Sequence, residues 1–149
     1  MKRIDYFSTK PDFITQLRAI TKTQEQFGLD AKLRALVETR VSQINGCAYC
    51  TDLHSREARQ RGERQQRLDS LPVWSESPFF TVRERAALAW AESVTRIAET
   101  HAGDAEYQGL TQHFTETEIV ELSLSVSLAN FWNRMAAGFR KMPSENTSE

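Results

Sequence analysis

Apolar residues recur every three or four positions along the N-terminal half of the chain, which is the spacing of one face of an α-helix. The first such segment spans about 11–28, and its apolar positions are Phe13, Leu17, Ile20 and Phe27. A second spans 30–46 and starts at a predicted cap, Asp30. Its apolar stripe is Leu33, Leu36, Val37, Val41 and Ile44. A third predicted helix starts beside Cys47 and runs to about residue 62.

Two capping boxes mark helix starts in the C-terminal half, each a threonine followed three residues later by a glutamate. They are Thr81–Glu84 and Thr115–Glu118. The first starts a helix that is predicted to reach His101, with its inward positions at Leu88, Ala91, Val94 and Ile97. The second starts the last long helix, and the residues on its apolar side are Ile119, Leu122, Val126, Ala129, Trp132 and Met135. Between them, 104–113 is predicted to form a short helix that Gly109 weakens.

No alternating run long enough for a strand interrupts these segments. The predicted fold class is therefore all-α, with about six to seven helices and short connections. At 149 residues the chain is long enough to bury a core without metals or structural disulfides, so we predict a single domain over 1–149. Within it, 143–149 is predicted to be a disordered tail.

Charge and hydropathy argue against several classes of partner. The 19 basic and 20 acidic residues give a formal net charge of −1, so no overall field favours nucleic acid or a membrane surface. The start, MKRIDYFSTKPDF, lacks the apolar run of a signal peptide, and no stretch approaches the ~20 apolar residues that span a bilayer. We predict a cytoplasmic protein that binds neither nucleic acid nor membrane.

Two further stretches each allow two interpretations. Residues 56–67 contain five arginines among acidic residues, which predicts a solvated helix face, although one arginine could instead hold an anionic substrate or partner. The segment 72–80, PVWSESPFF, is predicted to be a loop. Its aromatic residues Trp74, Phe79 and Phe80 would cover an edge of the core or, alternatively, line a pocket.

Both cysteines of the chain lie in one C-x-x-C motif, as Cys47 and Cys50. The preceding Asn45-Gly46 pair stops a helix, because both residues tolerate positive φ, so both thiols fall in the first turn of the next helix. Backbone N–H groups and the positive end of the helix dipole stabilise a thiolate there, and the thiolate is the reactive form. His54 lies four residues after Cys50, on about the same face. The motif predicts a redox dithiol with an imidazole partner, since C-x-x-C closes a disulfide with little backbone change.

Other interpretations of the cysteines remain open. A zinc site could use Cys47, Cys50 and His54, but it would need a fourth ligand from His101, His113 or a carboxylate. Haem attachment requires a histidine directly after the second cysteine, where this chain has threonine. The cysteines could also be buried small hydrophobic residues without chemistry. We expect a site that uses no metal and no other cofactor.

Three separated blocks of the sequence agree with one known family in order and spacing. They are SQINGCAYCTDLH, SPFFTVRERAALAWAESVT and ELSLSVSLANFWNRMAAGFR. Together they resemble the AhpD-like alkylhydroperoxidase branch of the carboxymuconolactone decarboxylase superfamily, over about 33–140. This resemblance implies an all-helical fold assembled as trimers or hexamers, and a peroxidase that works without haem or metal.

The resemblance also implies a role for each residue of the motif. Cys50 attacks the peroxide oxygen and becomes a sulfenic acid, Cys47 resolves it to a disulfide, and His54 belongs to the proton relay. The spacing agrees with attack by Cys50, because His54 lies one helical turn away from it. The implied partners are a hydroperoxide substrate and a thiol reductant of the dihydrolipoyl or thioredoxin type.

The chain departs from the family pattern at one position. The family usually carries a glutamate twelve residues before the first cysteine, and here that residue is Ala35. Glu38 lies one turn further along the helix and is the predicted replacement, because a carboxylate near His54 would orient the imidazole and strengthen its hold on a proton. Alternatively, Glu38 is a plain surface residue, and Glu84 or Glu92 supplies the charge.

From these features we expect a thiol-dependent alkyl hydroperoxide reductase that acts in antioxidant defence. Its predicted catalytic residues are Cys50, Cys47, His54 and Glu38. One alternative is a non-redox enzyme resembling the lactone decarboxylases, which would leave the cysteine pair unexplained. The other is a dithiol redox sensor or electron relay.

Overall fold

The computed structural model describes residues 3–145, and every regular element within them is helical. The α-helices are α1 Tyr6–Thr9, α2 Pro11–Lys22, α3 Ala31–Ile44, α4 Ala48–Gln60, α5 Gln65–Ser70, α6 Val82–Thr95, α7 Ile97–Thr100, α8 Asp104–Thr111 and α9 Glu116–Gly138. Two 3₁₀ turns, Thr23–Gln26 and Leu71–Val73, follow α2 and α5. The all-α prediction is confirmed. No helix in this part of the chain is long and apolar enough to cross a membrane.

The predicted number of helices was too low. Three helices, α1, α5 and α7, have only four to six residues, which is too short for an apolar period to show. The helix that was predicted to reach His101 instead ends at Thr95 and restarts as α7, so Ile97 is exposed rather than inward. Of the predicted tail, 143–145 has no regular secondary structure, and 146–149 lies outside the described residues.

The core lies where α3, α6 and α9 pack on one another. Most of the predicted stripe residues are buried there, and the fully buried leucines and valines among them are Leu36, Val37, Val41, Leu88, Leu122 and Val126. Full burial of such a side chain contributes about 1.5–3 kcal/mol, so this core is a main source of stability for the three long helices. The fourth long helix, α4, packs mainly on α3 and carries the cysteines.

The predicted helix starts are also confirmed. The hydroxyls of Thr81 and Thr115 accept from the backbone N–H groups of Glu84 and Glu118, and each glutamate reaches back to its threonine. At α3, the Asp30 side chain accepts from the N–H of the second helical residue. These contacts satisfy backbone donors that a helix start otherwise leaves unpaired, and thereby set where each helix begins.

The apolar spacing identified α2 but not its buried side. The helix begins at Pro11 as predicted, yet Phe13 and Ile20 are exposed, and the buried apolar residue is Ile14. On the inward side, the hydroxyl of Thr21 accepts a hydrogen bond of 2.8 Å from the indole N–H of Trp132 in α9. This contact brings α2 against the C-terminal part of α9, where both help to enclose the cavity described below.

The aromatic loop and one arginine of the basic stretch close the opposite side of the core. Trp74 and Phe80 pack against the core, as the covering interpretation predicted. Arg67 is buried, so a solvated face is wrong for this residue. It binds Glu63 at 2.8 Å, pairs with Glu84 and lies over the Phe80 ring. These ion pairs offset the cost of removing the guanidinium from water.

Candidate active site

Cys47 and Cys50 stand at the start of α4, as predicted, and are joined in a disulfide. Before them, Asn45 ends α3 and Gly46 adopts a φ of 64°, the left-handed conformation that glycine tolerates best. Cys47 is the N-cap of α4, and its sulfur accepts a hydrogen bond of 3.2 Å from the backbone N–H of Cys50. The two cysteines are only 2% and 3% exposed, so reactants must approach them through defined openings.

A buried amide network fixes this turn against α9. The side-chain amide of Asn45 donates to the carbonyl oxygens of Asn130 and Asn133, at 3.0 and 2.9 Å. Asn133 is fully buried and donates in turn to Ser42, at 3.1 Å. A buried polar group that loses its partner costs about 1–3 kcal/mol, so the network holds the cysteine turn in one position relative to α3 and α9.

The two cysteines line different cavities. Cys50 lines a cavity of about 320 Å³, whose apolar and aromatic walls are Tyr6, Phe7, Tyr49, Leu53, Trp132 and Ala136. Burial raises the pKa of Tyr6 to about 12, so its hydroxyl stays neutral there. Cys47 instead lines a separate depression, together with Gly46, Ala48 and Thr51. A molecule in the aromatic cavity therefore lies beside Cys50 and not beside Cys47.

His54 and two carboxylates share the cavity with Cys50. The Nδ1 atom of His54 lies 2.8 Å from Glu57 Oε2 and 3.6 Å from Glu38 Oε2. The side chains of His54 and Glu38 are only 15% and 10% exposed, so Glu38 is not a plain surface glutamate. Ala35, at the usual position of the family glutamate, lies within the hydrophobic core.

Burial and pairing shift the protonation of these groups. Burial acts to lower the pKa of His54, but the hydrogen bond to Glu57 and the charge of Glu38 outweigh it, so this pKa lies above its ordinary value of 6.5. Burial raises the pKa of Glu38, against the attraction of His54 and Arg34. For Glu57, the bond to His54 outweighs burial and lowers the pKa. His54 and Glu57 thus favour the charged pair, while Glu38 holds a proton more readily than an ordinary carboxyl group.

The other two candidate glutamates are engaged elsewhere. Glu84 pairs with Arg67. Glu92 binds Arg40 at 2.7 Å and accepts from the indole of Trp74 at 2.8 Å. Neither of the two lines the cavity that contains Cys50 and the imidazole.

Glu57 and Arg34 are among the charged residues of the cavity that sequence reasoning missed. Glu57 lies three residues after His54 on α4, so a search for helical partners of the histidine would have found it. Arg34 is 6% exposed and donates through Nη1 to the backbone carbonyl of Gln24. No local signal distinguishes Arg34 from a surface arginine, because only packing against neighbouring helices buries it.

One group of residues in the described part of the chain could hold a metal ion. The potential ligand atoms of Glu38, His54 and Glu57 all lie within 4.8 Å of one another. This set differs from the predicted zinc alternative, which used both cysteines, and in the disulfide neither sulfur is a metal-binding thiolate. Because the same three groups already contact one another, they can also pass a proton along.

Comparisons with known proteins connect this arrangement to one family. Residues 11–93 match the carboxymuconolactone decarboxylase family. The uncharacterized protein YdfG of Bacillus subtilis (strain 168) is 34% identical over 135 residues, which cover 91% of this chain and 92% of YdfG. The sequence and the site can therefore be compared along almost the whole chain.

Two solved structures share the fold. One is a protein of unknown function from Agrobacterium tumefaciens, suggested to be the antioxidant defence protein AhpD. It is 38% identical to this chain with a TM-score of 0.95, and the match covers 98% of this chain and 100% of that one. The debrominase Bmp8 is 21% identical with a TM-score of 0.83, over 93% of this chain and 74% of its own. At that identity the likeness to Bmp8 shows the fold alone.

Proposed function

Because the chain belongs to the carboxymuconolactone decarboxylase family and to its AhpD-like branch, we propose that it is a peroxidase that reduces organic hydroperoxides with Cys50 and Cys47. One observation carries the proposal: Cys50 shares a cavity with His54, which contacts two carboxylates. A nucleophile beside a chain of proton-transfer groups is what peroxide reduction requires. We further propose that the chain acts in the cytoplasm, in antioxidant defence, as a single domain within a homo-oligomer, either a trimer or a hexamer.

The first step is attack by the Cys50 thiolate on the terminal oxygen of the hydroperoxide. The S–O bond forms while the O–O bond breaks, leaving a sulfenic acid on Cys50 and an alkoxide. The imidazolium of His54 gives its proton to the alkoxide, which leaves as the alcohol. Glu57 stabilises the imidazolium before this transfer, and Glu38 can return a proton to His54 afterwards.

The second step closes the disulfide. The Cys47 thiolate attacks the Cys50 sulfur, the S–S bond forms, and the S–O bond breaks to release hydroxide, which takes a proton and leaves as water. A dithiol donor, of the dihydrolipoyl or thioredoxin type, then reduces the disulfide by exchange and becomes a disulfide itself. Each turnover thus consumes one hydroperoxide and one dithiol, and yields alcohol and water.

Two observations bear on which cysteine attacks, and they favour different residues. The sulfur of Cys47 accepts a hydrogen bond from the backbone N–H of Cys50 at the helix start, and this contact stabilises a thiolate on Cys47 in the reduced protein. Cys50 is the cysteine that lines the cavity with His54. We give the cavity more weight, because attack requires both the peroxide and a proton donor at the reacting sulfur. The stabilised thiolate of Cys47 then suits the resolving step.

Intact-mass spectrometry of the prereduced protein, before and after brief exposure to cumene hydroperoxide, tests the proposal. Peroxide consumption is followed in parallel. We expect each chain to lose two hydrogens for each peroxide consumed. An unchanged mass, with the helical circular dichroism spectrum intact, would show that the thiols are inert and would overturn the proposal.

Two cysteine variants separate the roles. Cys50→Ser should abolish peroxide consumption, while Cys47→Ser should consume one equivalent and leave a sulfenic acid that dimedone traps. The opposite pattern would exchange the two roles. Repeated turnover with dihydrolipoamide distinguishes an enzyme from a redox sensor, which oxidises once and stops. A non-redox enzyme would retain its reaction in both serine variants.

A further inference from the structure

Arg34 is a buried cation without an ion-pair partner. Its residue surface is only 6% exposed, yet no carboxylate among residues 3–145 forms a salt bridge with it. Its hydrogen bond to the backbone carbonyl of Gln24 uses one of five N–H groups. A buried charge without a partner is costly, and proteins normally pair it. The guanidinium therefore has room for an anion that is not part of the chain.

The free N–H groups of Arg34 face the cavity of Cys50. They are not among the described buried polar atoms that lack a partner, so solvent reaches them. Arg34 is one of the residues that line this cavity. The neighbouring Gln24 lines the same cavity, and its Oε1 is buried without a hydrogen-bond partner. Solvent does not reach this oxygen, so what this end of the cavity offers to a ligand is the guanidinium of Arg34.

The acidic residues of the cavity leave the guanidinium of Arg34 available to an anionic ligand. The charge of Arg34 acts on both Glu38 and Glu57, but both carboxylates contact His54, and neither comes within ion-pair distance of the guanidinium. At the exposed rim, Arg18 and Lys22 add positive charge, against the single carboxylate of Glu25. An anionic group that enters the cavity therefore passes cations at the rim and meets Arg34 inside.

We propose that Arg34 binds the carboxylate of the substrate, and that the preferred substrates are organic hydroperoxides that carry a carboxylate group. A guanidinium matches a carboxylate with two parallel N–H···O bonds, which would place the hydroperoxide end of the molecule toward Cys50. This inference rests on the proposed peroxidase function and assigns its substrate class. Arg34 acts in it as a binding and positioning residue.

The remaining walls and the size of the cavity fit such a molecule. Apart from its charged and polar residues, the cavity is lined by aromatic and aliphatic side chains, which favour an apolar body. Its volume of about 320 Å³ is far more than hydrogen peroxide needs, since a water molecule takes up about 30 Å³ of liquid. A compact aromatic or medium-chain acid would fill this space.

A matched pair of substrates tests the proposal. One is cumene hydroperoxide with a para-carboxylate, and the other is the methyl ester of the same compound. Stopped-flow kinetics of the prereduced protein gives the rate constant for each. For the natural chain we expect the acid to react about tenfold to a hundredfold faster than the ester, as charge-assisted hydrogen bonds imply. Equal rates, or a faster ester, would overturn the proposal.

Variants assign the preference to Arg34. Arg34→Gln should bring the acid-to-ester ratio close to one, and Arg34→Lys should keep part of it. Arg64→Gln is the matched control, because it removes the same charge from an exposed arginine that does not line the cavity. It should keep the ratio of the natural chain. If Arg34→Gln slows both substrates equally, or if the control loses the ratio as well, Arg34 does not bind the carboxylate.

A binding measurement separates failure of this inference from failure of the proposed function. Isothermal titration of the disulfide form with 4-isopropylbenzoate, and with the neutral 4-isopropylbenzamide, needs no turnover. We expect the acid to bind at least tenfold more tightly, and Arg34→Lys, the gentler change, to weaken the acid selectively. Binding without peroxide consumption would keep the anion site and reject the peroxidase. Peroxide consumption without a preference for the acid, in rate or in binding, would keep the peroxidase and reject the anion site.

Discussion

The proton affinity of His54 is the most direct measure of whether the candidate relay works as a unit. The variants Glu57→Gln and Glu38→Gln each remove one negative charge near Nδ1 while keeping the size of the side chain. Both carboxylates act to raise the pKa of His54, so both variants should lower it. The double variant leaves burial to act without them, and burial lowers the pKa of an imidazole.

The distances set the expected magnitudes. The 2.8 Å contact with Glu57 is a charge-assisted hydrogen bond, for which about 1.5–3 kcal/mol is usual. Because the Glu57 side chain is 37% exposed, solvent screens part of this contact, and we take the lower end of that range. At the 3.6 Å of Glu38, two charges interact by about 1 kcal/mol in water and about 5 kcal/mol at an effective dielectric constant of 20. Burial raises the pKa of Glu38, so its charge acts on His54 only where this carboxyl group is ionised, and the lower pKa of His54 in Glu38→Gln should be seen there.

The assay is an NMR titration of the imidazole C–H signals in the disulfide form. The chain has only three histidines, and His54→Gln identifies the signal of His54. We expect a pKa above 6.5 for the natural chain, a decrease in each single variant, and a value below 6.5 in the double variant. His101 and His113 serve as internal controls, since neither lines the cavity.

Two results would refute the reasoning. If Glu38→Gln leaves the pKa of His54 unchanged, Glu38 carries no charge beside the imidazole, and its assigned part in raising this pKa is wrong. If the double variant keeps this pKa above 6.5, some other group sets it, and the paired carboxylates do not explain the site.

Three further predictions concern stability, measured by urea unfolding. Folding raises the pKa of His54, so the protonated imidazole adds to the free energy of unfolding. This contribution is fully present below pH 6.5 and is lost as pH rises through the pKa of His54 in the folded chain. His54→Gln should therefore flatten the dependence of the free energy of unfolding on pH above pH 6.5. Asn133→Ala should cost about 2 kcal/mol, because it deprives Asn45 of a partner, and a cost under about 0.5 kcal/mol would show that the network is dispensable. Gly46→Ala should destabilise the fold by about 1 kcal/mol, because Gly46 has a φ of 64°. Gly109→Ala, inside α8 and with as much space for a Cβ, should stabilise it by about 0.5–1 kcal/mol. If both variants change the free energy of unfolding in the same direction, the argument from φ is wrong.

Local chemistry explains why the sequence alone predicted so much of the framework. A threonine and a glutamate three residues apart satisfy backbone donors within one turn, so both capping boxes form where the sequence places them. Gly46 likewise ends α3 through its own conformational freedom, and this puts Cys47 at the start of α4. Because these contacts lie within a few residues, no knowledge of the rest of the fold is needed.

Elements that depend on partners distant in sequence were predicted less well. An apolar period shows that a helix exists, but which side of α2 is buried depends on the helices it meets, and Phe13 remains exposed. Arg67 belonged by sequence to a solvated run, yet Glu84, seventeen residues away, makes it a buried ion pair. The short helices α5 and α7 have too few residues to show an apolar period of their own.

The sequence by itself determined the helical class, the helix starts and the placement of the cysteine pair at the start of α4, with His54 one turn after Cys50. Only the tertiary structure decided that Glu38 lies beside His54, that Cys50 rather than Cys47 lines the aromatic cavity, and that Arg34 is buried there without an ion pair. The physical reason is the range of the interactions. Caps, turns and helical spacing act within a few residues, whereas burial and charge pairing depend on how α2, α3, α4 and α9 come together.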